Sequence, residues 1–196
     1  MSCLNITDTT KNLRDYVIVA DNMLSSDICK NAINLFTKSD LQFEYHDTNG
    51  YSFTQLNITR HIKNSKDCKS MHDSLVSASL DALKYYKKII PESSFWPDKT
   101  ALEEFRIKRY SPSSENKFDD HIDAANLLTS KRYLVFFWYL NDVNEGGETQ
   151  FPSLNLSIKP KAGRVLIFPP MWMFPHRANK AISNTKYMVG SYLHFI

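Results

Sequence analysis

The run at 131–140, Lys-Arg-Tyr-Leu-Val-Phe-Phe-Trp-Tyr-Leu, constrains the fold of this chain more than any other stretch. From 133 onward it is continuously apolar, aromatic or β-branched, which fits a strand buried on both faces. It is far too short for a membrane helix. Further strands are expected around it at 102–110, 148–151, 154–158, 164–168 and 186–195. In the first of these, Phe105, Ile107 and Arg109 alternate with Glu104, Arg106 and Lys108. Turn signals punctuate the series: the Asn-Asp-Val-Asn-Glu-Gly-Gly of 141–147, the Pro-Lys-Ala-Gly of 160–163 and the Phe-Pro-Pro of 168–170. Short strands at near-regular spacing predict an antiparallel sandwich or barrel.

The N-terminal half reads differently. Residues 1–14 are polar and expected to be loose. A short strand is expected at 16–19, ended by Asp21-Asn22. Ser25 or Ser26 can cap a helix over 26–38, where Ile28, Ala32, Leu35 and Phe36 repeat at helical intervals. Within 40–64, Asp47-Thr48-Asn49-Gly50 marks a turn and 51–54 begins a strand. Ser65 or Asp67 opens a long helix, whose stripe of Met71, Leu75, Val76, Ser79, Leu83 and Tyr86 continues until Pro91 stops it.

At 196 residues the chain is read as one domain spanning 1–196, with helical support over 1–99 and a β core over 100–196. A net charge of +3, with no long basic run, argues against a nucleic-acid partner. Cys3, Cys29 and Cys68 form neither a disulfide framework nor a paired metal motif. The N-terminus lacks the basic and apolar regions of a signal peptide, so the expected location is the cytoplasm, with no membrane partner.

Chemistry concentrates in the second half. His121-Ile122-Asp123 on an extended segment would turn an imidazole and a carboxylate to one face. Those are two of the three ligands of the 2-His-1-carboxylate facial triad that holds non-haem Fe(II) and leaves three positions open. His176 is the candidate third ligand. Gly146-Gly147-Glu148-Thr149 lies between them, and Lys186 follows ten positions after His176. His46, His61, His72 and His194 read as structural or exposed. Trp138, Trp172 and Trp96 read chiefly as core, Trp172 having a second reading as a pocket wall. Arg177 is read evenly as a substrate contact or an exposed side chain.

Arg109-Tyr110, His121-x-Asp123, Arg132, Leu140-Asn141-Asp142, Gly146-Gly147-Glu148-Thr149, Phe151, the Pro-Lys-Ala-Gly turn, Phe168, His176 and Lys186 occur in the order found in prolyl 4-hydroxylase-like Fe(II)/2-oxoglutarate dioxygenases, and over about 100–196 the chain resembles that family. The resemblance implies a mainly β fold with α: a double-stranded β-helix, or jelly roll, with supporting N-terminal helices. It implies Fe(II) on His121, Asp123 and His176. It implies 2-oxoglutarate with its distal carboxylate on Lys186, helped by the hydroxyls of Thr149 and Tyr110. Dioxygen would be the second co-substrate and ascorbate the reductant. The implied reaction hydroxylates an unactivated C–H bond with release of succinate and carbon dioxide, first on a peptidyl proline. The alternatives are a free amino acid or other small molecule as substrate, and a jelly-roll sensor that holds metal without turnover. Lys at the anchor resembles the prolyl hydroxylase branch more than the nucleic-acid demethylases, whose anchor is Arg. Phe118 stands three before His121, where the family often has Tyr.

Overall fold

The computed structural model describes residues 12–46, 52–112 and 117–196. The expected loose start, the turn at 47–50 and most of the loop at 111–116 lie outside the described residues, as does Cys3. Strand β7 (Arg132–Tyr139) sits mid-sheet, hydrogen-bonded to β10 (Val165–Phe168) on one side and β12 (Lys186–Phe195) on the other. Its unbroken apolar run is two interleaved faces. Leu134, Phe136, Trp138 and Leu140 enter one core cluster, and Val135, Phe137 and Tyr139 enter another. β10 divides the same way, Val165 and Ile167 against Leu166 and Phe168. A strand at the centre of a covered sheet has no face left for polar residues, which is why 133–140 shows no alternation.

Helices cover the first face. In α1 (Ser26–Lys38) the Ser25 hydroxyl accepts from the Ile28 amide, and in α2 (Lys66–Ile89) Ser65 does the same for Cys68. Ala32 and Phe36 of α1, with Leu75, Ala82 and Tyr86 of α2, pack against the sheet. The predicted helices at 26–38 and from 65 to Pro91 are therefore present, their apolar stripes turned inward.

The large sheet is antiparallel throughout, in the order β1 (Ile18–Ala20), β10, β7, β12, β5 (Arg106–Tyr110), β3 (Ser52–Asn57), β2 (Phe43–His46), with β4 (Thr100–Leu102) alongside β12. A smaller antiparallel sheet, β6 (Phe118–His121), β11 (His176–Ala178), β8 (Thr149–Phe151) and β9 (Leu156–Ile158), has its own order β6-β11-β8-β9. Residues from both sheets form the second core cluster. This mostly β arrangement of two antiparallel sheets, not closed into a barrel, is the double-stranded β-helix class.

Several expectations need correction. The strand expected over 102–110 is two strands: the Glu103 amide still donates to the Tyr192 carbonyl of β12, but the chain then leaves that ladder and the Phe105 amide donates to the Thr59 hydroxyl. Residues 152–154 form a 3-10 turn, so the strand expected from 154 begins at Leu156. The strand expected at 16–19 begins at Ile18, after a 3-10 turn over Leu13–Tyr16, and β1, β2 and β3 extend the large sheet beside the helical support of 1–99. No helix among the described residues is long and apolar enough to cross a membrane.

Phe36 is fully buried and meets the ring of Tyr187 edge-on at 5.6 Å, on the sheet face away from β6 and β11. Phe36→Ala is expected to lower stability by about 3–5 kcal/mol through transfer and cavity costs. Urea unfolding followed by circular dichroism checks this, and a loss under about 1 kcal/mol would contradict the packing described.

Candidate metal centre

β6 and β11 are neighbouring antiparallel strands, and their register places His121 directly opposite His176. The two imidazole centroids are 4.3 Å apart. Asp123 lies just beyond the end of β6, in a bend rather than on the extended segment expected for it. It reaches the same point nonetheless: one ligand atom from each of His121, Asp123 and His176 lies within 4.8 Å of the others. The Nε2 of His176 is 3.3 Å from Oδ2 of Asp123, and that of His121 is 3.9 Å from Oδ1. His61, His72 and His194 lie outside this cluster.

Local hydrogen bonds set the tautomers. The Nδ1 of His121 faces the Asp119 carbonyl at 2.8 Å, and that of His176 faces the Phe174 carbonyl at 3.2 Å. A carbonyl only accepts, so each Nδ1 carries the hydrogen and each Nε2 presents a lone pair to the centre. Burial pushes the His121 imidazole down to about 3, with the neighbouring His176 adding to the effect, and it also lowers His176. Both rings are neutral at pH 7. Phe137, Phe151 and Phe168 surround His176, with ring centroids 5.9, 5.5 and 4.8 Å away.

Asp123 is held from behind. The Tyr192 hydroxyl donates to its Oδ1 at 2.9 Å, and Arg132 donates to its backbone carbonyl at 2.9 Å. Arg132 is itself forked onto Glu103 by two bonds of 2.8 Å and stacks on the Tyr192 ring at 3.9 Å. Burial holds the Tyr192 phenol well above its ordinary range, so it stays a donor. Asp123 Oδ2 and His176 Nε2 are buried and take part in no hydrogen bond. Two buried acceptors facing each other without a shared proton are costly as they stand. A divalent cation satisfies both, and two neutral imidazoles with one carboxylate suit Fe(II).

A narrow cavity extends from this cluster between the sheets, lined among others by Lys108, Tyr110, Phe118 and Thr149. Lys186 lies nearby, fully buried, its ammonium 5.2 and 5.5 Å from the Tyr110 and Tyr139 ring centroids. Its Nζ donates to the Gly147 carbonyl at 2.7 Å. Gly147 has φ +74°, a left-handed backbone conformation that favours glycine in the turn presenting this carbonyl. Burial pushes Lys186 down to about 7, with Glu148 opposing. The Tyr139 hydroxyl donates to Thr149 Oγ1 at 2.7 Å, which leaves the Thr149 hydrogen free to point elsewhere.

The six residues singled out in the sequence thus gather in one region. Trp172 is 76% exposed, so it is neither the core residue expected nor a pocket wall, while Trp138 is fully buried. Arg177 is tied to Gln150 by bonds of 3.0 and 2.9 Å. Three contributors escaped sequence reading: Lys108, Tyr139 and Tyr192. Their signal was present but masked. Lys108 falls on the polar face of an alternating strand that looks solvated, and the tyrosines fall inside apolar runs that read as core.

A double-stranded β-helix with a His-Asp-His cluster between its sheets is the frame in which comparison with known proteins has meaning. Residues 105–194 match the family model described as the 2OG-Fe(II) oxygenase superfamily. That stretch of the chain is similar to this superfamily and to prolyl 4-hydroxylases. The chain is 31% identical over 129 residues to "Probable prolyl 4-hydroxylase 9" of Arabidopsis thaliana, a match covering 54% of this chain and 44% of that protein. It is 28% identical over 124 residues to "Prolyl 4-hydroxylase 13" of the same plant, covering 53% and 44%. The chain therefore spans less than half the length of these curated relatives. Among solved structures, a prolyl hydroxylase from Trichoplax adhaerens, in complex with a hypoxia inducible factor peptide fragment, superimposes with TM-score 0.73 at 18% identity, covering 92% of this chain and 84% of that one. The viral collagen prolyl hydroxylase of Paramecium Bursaria Chlorella virus-1, in its 2OG complex, gives 0.65 at 22% identity, covering 92% and 96%. At these identities the structural likeness carries the fold.

Removing the Tyr192 hydroxyl frees Asp123 Oδ1 without altering the ligand set. Tyr192→Phe is expected to weaken metal binding about 10–100-fold, as loss of an orienting partner does elsewhere. Competition for Fe(II) against a calibrated chelator under anaerobic conditions measures it, and an unchanged affinity would contradict the positioning role.

Proposed function

We propose that this chain is an Fe(II)- and 2-oxoglutarate-dependent dioxygenase that hydroxylates an unactivated C–H bond, in the manner of a peptidyl prolyl 4-hydroxylase. The observation that carries this reading is the pair of unsatisfied buried acceptors, His176 Nε2 and Asp123 Oδ2, facing each other at 3.3 Å beside a second neutral imidazole. In this reading His121, Asp123 and His176 hold the metal. The iron, with 2-oxoglutarate and dioxygen, supplies oxidative decarboxylation to succinate and carbon dioxide and transfer of oxygen to the substrate carbon.

The remaining roles fall to side chains already in place. Lys186 gives one of its three N–H donors to Gly147 and keeps two for the distal carboxylate of 2-oxoglutarate. Thr149 directs its spare hydrogen to the same carboxylate, and Tyr110, whose phenol burial keeps protonated, adds a further donor. Phe118, 3.7 Å from the His121 ring, shields that ligand from water where a tyrosine would offer a hydroxyl. A peptide substrate is supported by the prolyl 4-hydroxylase relatives and by the peptide-bound neighbour. Ascorbate is assigned as reductant, and the free buried thiols Cys29 and Cys68 suit a reducing cytoplasm.

The test needs no known substrate. Purified protein with Fe(II), ascorbate and 2-oxoglutarate is expected to release succinate slowly by uncoupled turnover. His121→Ala and Lys186→Ala are each expected to lose it to background. A wild-type chain that binds neither Fe(II) nor 2-oxoglutarate would overturn the assignment.

The anchor also predicts a pH dependence. A dicarboxylate binds the ammonium form of Lys186, and the unliganded lysine titrates at about 7. Below that pH the affinity for 2-oxoglutarate is level. Above it binding must take up a proton, so affinity falls about tenfold per pH unit. Titration of 2-oxoglutarate into Zn(II)-loaded protein between about pH 6 and 9 measures this. A level profile up to the upper limit would place the lysine outside the carboxylate site.

A further inference from the structure

The cavity holds a second lysine that the proposed chemistry does not use. Lys108 follows Arg106 and precedes Tyr110 on one face of β5, opposite Met188 of β12, and lines the cavity together with His121, Asp123 and His176. Its ammonium stands 4.6 Å from the Phe53 ring centroid and 5.4 Å from that of Phe118. Those two rings stack on each other at 6.0 Å, and Phe118 in turn lies against His121. Among the described residues no carboxylate forms an ion pair with it. Its basic neighbours are matched: Arg106 pairs with Glu104, and Arg132 with Glu103. Burial pushes Lys108 down to about 8, opposed by the charge of Asp123, so it remains largely cationic near pH 7.

The charges then decide what it awaits. Iron(II), Asp123, Lys186 and the dianion of 2-oxoglutarate balance one another. Lys108 is left as an uncompensated cation among the described residues lining the loaded cavity. Two aromatic faces hold an ammonium but do not neutralise it. A partly desolvated charge beside a metal site is stabilised most by an anion that arrives with the ligand. The 2-oxoglutarate anchor is already assigned to Lys186, whose β-ladder partner is Tyr110, two residues along β5 from Lys108.

We propose that Lys108 selects substrates carrying a carboxylate close to the carbon that is hydroxylated. That carboxylate is either an acidic side chain next to the target residue of a peptide or the carboxylate of a free amino acid. This deepens, and rests on, the Fe(II)/2-oxoglutarate reading.

The experiment reads binding rather than turnover. Protein loaded with Zn(II) and 2-oxoglutarate is titrated calorimetrically with matched probes. One arm compares end-capped proline tripeptides bearing Asp or Asn on either side of the proline, and the other compares L-proline with L-prolinamide. The wild type is expected to favour the carboxylate in one arm at least tenfold, and that arm names its source. Lys108→Met, which keeps the length of the stem, is expected to reduce the preference to near unity with 2-oxoglutarate affinity unchanged. Lys108→Arg is expected to restore it. A wild type without preference in either arm, including one that binds no probe, overturns the proposal. So does a tenfold loss of 2-oxoglutarate affinity in Lys108→Met, which would make Lys108 a co-substrate residue. Failure of the underlying reading looks different: the Zn(II)-loaded wild type then does not bind 2-oxoglutarate at all.

Discussion

Two lone-pair acceptors held face to face in a dry interior are the constraint on which this structure turns. His176 Nε2 and Asp123 Oδ2 are buried, lack hydrogen bonds and lie 3.3 Å apart. Nothing in apolar packing favours such a pair, so the surroundings must impose it. Phe137, Phe151 and Phe168 fix the His176 ring, the Phe174 carbonyl fixes its tautomer, and Tyr192 and Arg132 fix Asp123. The helices matter here indirectly. By covering the far face of the large sheet they allow β7 and β12 to be apolar on both sides, and the near face then carries Phe137, Tyr139, Met188 and Tyr192 to the site.

The same economy governs the lysines. Lys186 is buried completely, yet it has the Gly147 carbonyl as a partner and two spare donors. Lys108 is less enclosed and rests on aromatic faces. Both are displaced downward by burial, Lys186 further than Lys108. A cavity with cations at two places around a metal cluster is built for anions. In the proposed reading the dicarboxylate co-substrate accounts for one of them.

Much of this was legible in the chain itself. The strand at 131–140, the helix over 26–38 and the long helix ending before Pro91 were readable because burial of a whole stripe, or of both faces, leaves a periodic mark. The cluster was readable because His121, Asp123, His176 and Lys186 are chemically unusual in combination. What escaped was whatever depends on which side of a strand faces in. The polar face of β5 borders the cavity instead of solvent, so Lys108 looked ordinary. Tyr139 and Tyr192 looked like core because they are core, with one oxygen each put to use. Strands of three or four residues, such as β6 and β11, are too short to show a period. Asp123 reached the cluster through a bend that no i,i+2 rule describes.

The most direct measurement of the central claim is the number of protons released when Fe(II) binds at pH 6, taken by anaerobic calorimetry in buffers of different ionisation enthalpy. With burial holding both imidazoles below their ordinary range in the folded chain, one Fe(II) binds per chain and displaces clearly fewer protons from them than from two ordinary histidines. Ordinary histidines titrating near 6.5 would release about 1.5 protons between them at that pH. A release of that size, or no binding of Fe(II), would contradict a preformed, desolvated metal centre.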